Sequence, residues 1–143
     1  MRRFAVLVLF IAAMLSVGAG VRYLITGEFM AHHAIVSGKS WQQLEPGIQT
    51  IVLGMLRIVG GGFLACGVSL LWLLRPLGKG EAWSRWAALT IAFCAWIPTL
   101  YVVLVLRAAS PESQPPMVPT SLMLALTVVG VVAHFFGSRD SRR

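Results

Sequence analysis

The sequence predicts an all-α integral membrane four-helix bundle with short interfacial helices between the first and second spans. Three observations carry that expectation. Hydrophobic residues make up 57% of the chain and charged residues only 12%, about half the charged share of a soluble domain. A chain of 143 residues cannot hide so much apolar surface from water, because a small domain has too high a surface-to-volume ratio. The apolar residues also fall into four runs, each near the roughly 20 residues a helix needs to cross a bilayer. The whole chain, residues 1–143, reads as one transmembrane domain.

The spans are expected at about residues 4–25, 48–74, 86–106 and 117–137. Lipid offers no partners to backbone N–H and C=O groups, so each run must be helical. None alternates with period two, which argues against a barrel. The start of the first run resembles a secretory signal peptide, with Arg2-Arg3 ahead of it and the small residues Ser16, Gly18, Ala19 and Gly20 within it. The run continues through Val21, Tyr23 and Ile25, too far for such a peptide, and is read as a retained span. Tyr23, Trp72, Trp83 and Trp86 fall near the expected interfaces, where amphipathic rings settle. Trp96 lies mid-span beside Pro98 and reads as a packing residue.

Charge sets the orientation. Arg2, Arg3, Arg75, Lys79, Arg85, Arg139, Arg142 and Arg143 place eight basic residues on one side, against Arg22, Lys39 and Arg107 on the other. The positive-inside rule then puts both termini in the cytoplasm, as in a bacterial inner-membrane protein. The net charge of +7 does not point to nucleic acid, because the arginines sit at the ends of apolar runs and form no basic face. Cys66 and Cys94 lie inside apolar runs without metal-ligand spacing, so they read as small buried thiols.

The outer segment, residues 26–47, is the richest polar stretch. Ser40 and Gln43 have capping-box spacing, and Pro46 suits the first turn of the second span. One or two short helices on the membrane surface are expected here. Glu28 and His32 have the i, i+4 spacing that brings a carboxylate and an imidazole onto one helical face. His33 diverges from them by about 100°. No metal site is expected, and Glu28, His32 and His33 are weak alternatives to that reading. The proline-rich residues 108–120 read as a stiff external connector, with Pro119 opening the fourth span.

Arg57 is the most informative charge. Counted from Pro46 it lies about 16 Å along the second span, near mid-bilayer, where arginine costs about 2.5–3.5 kcal/mol to insert. It is expected to face the bundle near Pro98, whose ring frees the carbonyl of Cys94, with Thr99, Ser16 and Thr127 as further acceptors. Either a binding pocket or a structural staple fits these residues. Gly60, Gly61, Gly62, Ala65 and Cys66 contain small-xxx-small pairs, 61 with 65 and 62 with 66, that permit close helix approach. Gly60–Gly62 is no phosphate loop, since no strand precedes it and no GK[ST] follows. His134 is expected to bond a nearby hydroxyl or carbonyl.

The segments FMAHHAIVSGKSWQQLEPGIQ and LRIVGGGFLACGVSLL resemble uncharacterised small four-helix membrane proteins of bacteria. The arginine-then-glycines stretch is similar to DoxX-like four-helix proteins. That resemblance covers the first two spans and implies a four-helix fold; DoxX-like proteins have been linked to redox or accessory roles. The residues themselves favour a non-enzymatic accessory or assembly subunit without a cofactor. Its partners would be membrane lipids and another membrane protein or a second copy. One alternative is a transporter or a protein that binds a lipophilic or anionic ligand through Arg57. A second is a membrane enzyme with the Glu28, His32 and His33 surface site.

Overall fold

The computed structural model describes the backbone of residues 1–140 and the side chains of residues 1–137. It is helical, with four helices long and apolar enough to cross a membrane. They are α1 (Arg2–Ile25), α3 (Pro46–Lys79), α4 (Ala82–Ala109) and α5 (Met117–Asp140), with the short α2 (Ala31–Ser37) between α1 and α3. Single 3-10 turns at Trp41–Gln43 and Pro111–Ser113 complete the outer connections. The basic residues Arg142 and Arg143, and the side chain of Arg139, lie outside the described residues.

Local chemistry explains the boundaries. Pro46 occupies the first turn of α3, where its missing N–H costs nothing. Gly80 ends α3 at φ 83°, a left-handed conformation that L side chains resist. From there its N–H donates to the Leu77 carbonyl at 2.9 Å and Glu81 N–H donates to the Pro76 carbonyl at 3.1 Å, satisfying carbonyls that the helix end leaves open. In the outer segment, Ser40 N–H donates to Gln43 Oε1 at 2.8 Å, the backward half of the expected capping box.

Packing is closest between α1 and α3. A Cβ added at Gly20 would stand 2.6 Å from Leu64 N and 2.9 Å from the Gly60 carbonyl oxygen. One added at Gly67 would stand 2.8 Å from both the Ala13 oxygen and Val17 N. The two backbones therefore touch at two points along their antiparallel crossing. Between those points the buried Ser16 hydroxyl donates to the Phe63 carbonyl at 2.9 Å, so this polar group is satisfied inside the helix contact.

α5 also packs against α1, where Gly130 receives Leu9 and Gly137 receives the Arg2 backbone. At the same end the buried His134 donates from Nε2 to the Leu77 carbonyl at 2.9 Å, as expected for that residue. The Arg85 guanidinium lies 5.0 Å from the Phe135 ring centre, joining α4 to α5 by a cation–π contact. Gly80 also lies against the Arg2 guanidinium. The N-terminus, the α3–α4 turn and the end of α5 thus share one end of the bundle. Trp96 of α4 is buried and stacks on Phe63 of α3, with ring centres 4.6 Å apart and planes within 9°.

Candidate functional site

Arg57 does not point into the bundle. Its side chain is exposed and its Nη1 lies 3.5 Å from the carbonyl oxygen of Thr26, just past the end of α1. The expected approach to Pro98 is therefore corrected: Pro98 is itself exposed, and the Arg57 hydrogen bond goes to the outer end of α1. The reason is the register of α1 on α3. With Gly20 against Gly60 and Leu64, Arg57 comes level with the α1 C-terminus. Counting residues from Pro46 measured distance along a helix that begins well above α1, not distance below the membrane surface.

The same register reveals two belts of arginine. Arg22 and Arg57 mark the level at the α2 end of the bundle, expected to be the outer one, and Arg3 and Arg75 the level at the other end. Each pair on a single helix is separated by about 27–29 Å, close to the roughly 30 Å of hydrocarbon. Arg85 and Arg107 of α4 stand about 33 Å apart. About three turns of α3, from Pro46 to Leu56, consequently project beyond the outer belt.

The other residues expected around Arg57 do not meet it. The Ser16 hydroxyl is committed to Phe63, Thr127 donates to the Met123 carbonyl at 2.9 Å, and Thr99 donates to the Ala95 carbonyl at 2.7 Å. Each of the two threonines bonds one turn back along its own helix. Among the glycines, Gly60 is at the backbone contact and Cys66 is in the core, but Gly61, Gly62 and Ala65 face outward or sideways. A Cβ at Gly61 or Gly62 would meet nothing within 4 Å. The close approach uses Gly60 and Gly67, a heptad apart, and not the 61–65 and 62–66 pairs.

At the outer surface, α2 begins only at Ala31, so Glu28 precedes the helix and the i, i+4 relation with His32 does not apply. The Glu28 carbonyl instead accepts the Thr26 hydroxyl at 2.8 Å. Among the described residues no three His, Cys, Asp or Glu side chains gather as metal ligands. His33 serves the fold of the segment. Its Nδ1 accepts the Met30 N–H at 3.2 Å and caps α2, while its ring lies edge-on to Phe29. Phe29 is buried and also packs edge-on to Trp41, 5.2 Å between centres.

Burial, and secondarily the adjacent His32, holds the His33 imidazole down to about 4 from its ordinary 6.5. His32 is lowered too, first by burial and then by Arg22. The neutral His33 ring is the form that can accept the Met30 N–H. An opened segment would take up a proton near 6.5 and the capped one only near 4. The stabilising contribution is therefore complete above pH 6.5 and is lost as pH falls through about 4. In a histidine NMR titration, His33 is expected to show a midpoint near 4; a midpoint at the ordinary value would contradict its role as a cap.

A cavity of about 600 Å3 lies between the outer halves of α1, α4 and α5, roofed by Met30–His32 and by Gln114 and Pro116. Arg22, Tyr23 and His32 contribute to its outer part, and Met14, Trp96 and Met123 to its deeper part. The indole N–H of Trp96 is itself buried and turned to the Cys66 sulfur, a weak acceptor, so the cavity meets the ring and not its N–H. No spacing in the sequence reveals this lining, because five separate segments supply it. A second, shallower groove of about 440 Å3 runs between α3 and α4, lined by Gly62, Ala65, Ser69, Cys94 and Ala95 among others.

Searches for relatives return nothing: no family model, curated protein or solved structure matches the chain.

Proposed function

We propose that the protein is a non-catalytic subunit of a membrane assembly and docks through the outward face of α3. One observation carries this reading. Ile48, Ile51, Met55 and Ile58 are all exposed, with Ile58 77% accessible, and they repeat at the three–four spacing of a heptad. The stripe continues down α3 through Gly62, Ala65, Ser69 and Trp72. Within lipid an apolar outward face is ordinary. Above the arginine belt it is not, because Ile48, Ile51 and Met55 leave the hydrocarbon and a face of that kind calls for a partner.

A strict seven-residue period favours a second long helix lying alongside. The small residues at 62, 65 and 69 let that helix come close within the bilayer. The opposite side of the projecting turns is already used, since Gln49 Nε2 donates to the Trp41 carbonyl at 2.8 Å. The partner is another membrane protein or a second copy of this chain. The charge distribution supports cytoplasmic termini in a bacterial inner membrane; moving Arg57 to the outer belt changes the split of basic residues only to eight against four.

The test is cross-linking in native membranes from single cysteines carrying a photoactivatable benzophenone maleimide, which captures any neighbouring C–H bond, with Cys66 and Cys94 replaced by alanine. Ile51→Cys and Met55→Cys should give a larger cross-linked species, while Thr50→Cys, at the same height but off the stripe, should give little. The mass of the product distinguishes a second copy from a different protein. Equal trapping at all three positions, or none, would remove the docking face.

A further inference from the structure

We propose that the outer cavity between α1, α4 and α5 binds an anionic amphiphile, with its acid group at Arg22 and its chain directed towards Trp96 and Met123. This does not depend on the α3 docking face, which is built from other residues. The volume of about 600 Å3 lies inside the range of small-molecule sites, roughly 300–1,000 Å3. The lining is polarised along the membrane normal. Met14, Leu15, Trp96, Leu122 and Met123 surround the deeper part, and Arg22, His32 and Gln114 stand at the rim.

The charge selects an anion. Among the described residues no carboxylate lines the cavity, and the Arg22 side chain has as its hydrogen-bond acceptor only the Met30 thioether, 4.0 Å away. A thioether is a weak acceptor, so a planar five-donor guanidinium remains available for a carboxylate or phosphate, its best-matched partners. Burial keeps His32 below its ordinary range, which leaves a neutral ring able to donate one hydrogen bond beside the same head group.

Trp96, 4% exposed and stacked on Phe63, gives the cavity a rigid apolar floor. Entry is sideways from lipid: Leu15 and Leu122 line the cavity and are each 46% exposed on the flank of the bundle. The shared chemistry is an acid group on an acyl chain, as found in a free fatty acid or an anionic phospholipid.

Native mass spectrometry of the full chain in a non-ionic detergent tests this, using dodecanoate, dodecanol, phosphatidylglycerol and phosphatidylcholine as probes. One dodecanoate or phosphatidylglycerol should be retained per chain, with dodecanol and phosphatidylcholine at least about tenfold weaker. Arg22→Gln should lose about tenfold for the acids alone. Gly18→Leu provides the steric counterpart. Gly18 lines the cavity and a Cβ there meets nothing within 4 Å, so the side chain should fill the space and abolish retention while the protein stays folded. Retention of dodecanoate alone would identify a free acid as the source, and retention of phosphatidylglycerol a lipid. No acid-selective adduct, or adducts unchanged in both variants, would overturn the proposal.

Discussion

Valine in place of Gly60 or Gly67 is expected to separate α1 from α3 and destabilise the bundle by about 3 kcal/mol or more. Overpacking a core that can yield costs about 1–3 kcal/mol, and here little can yield. The atoms facing a new Cβ at Gly67 include backbone Ala13 O and Val17 N at 2.8 Å, and those facing Gly60 include Gly20 O and Leu24 N at 2.9 Å. Backbone within a helix cannot step aside as a flexible side chain does, so the helices must part along the whole crossing. Gly61→Val is the matched control, since its Cβ would meet nothing. Unfolding in mixed micelles of a mild detergent and dodecyl sulfate would measure all three. Equal losses at positions 60, 61 and 67 would show that the close face has been misassigned.

Trp96→Ala should be the next most damaging change, at about 2–3 kcal/mol. Large-to-small replacement of a buried aromatic costs about 3–5 kcal/mol in a soluble core. Part of that reflects transfer from water and is absent in lipid, so packing carries the remainder. The lost contacts are specific: the indole is 4% exposed and lies flat on Phe63. Trp72→Ala should change little by the same assay, because Trp72 is 79% exposed. A comparable loss for the two would show that tryptophan content, and not the Phe63 stack, sets stability.

What could be read from sequence follows from which constraints are local. Lipid forces helices, so the four spans were legible from composition, and the helix starts and stops were legible where a residue acts on its own backbone. Pro46, and Gln43 with Ser40, are of that kind. His134 was legible too, because a buried imidazole must find an oxygen. Arg57 was not, since its depth depends on how α1 lies against α3, and that register resides in Gly20, Gly60 and Gly67 together. A run of three glycines presents small residues over a wide arc of helix, so the sequence cannot say which meets a neighbour. The helical pairing of Glu28 with His32 failed for a related reason: α2 starts three residues too late. The cavity draws residues from segments as distant as Met14 and Met123, with no spacing that links them.

The placement of the bundle in the membrane governs both the docking face and the cavity, and thiol labelling measures it directly. Single cysteines at Thr50, Arg57, Gly62 and Lys79, in a chain with Cys66 and Cys94 changed to alanine, would be exposed on intact cells to a membrane-impermeant maleimide. Cysteines at 50, off the docking stripe, and at 57 should react from outside, the one at 62 should stay unreactive, and the one at 79 should react only after permeabilisation. Protection of position 57 to the same degree as 62, or labelling of position 79 on intact cells, would contradict the arginine belts and the projecting face of α3 with them.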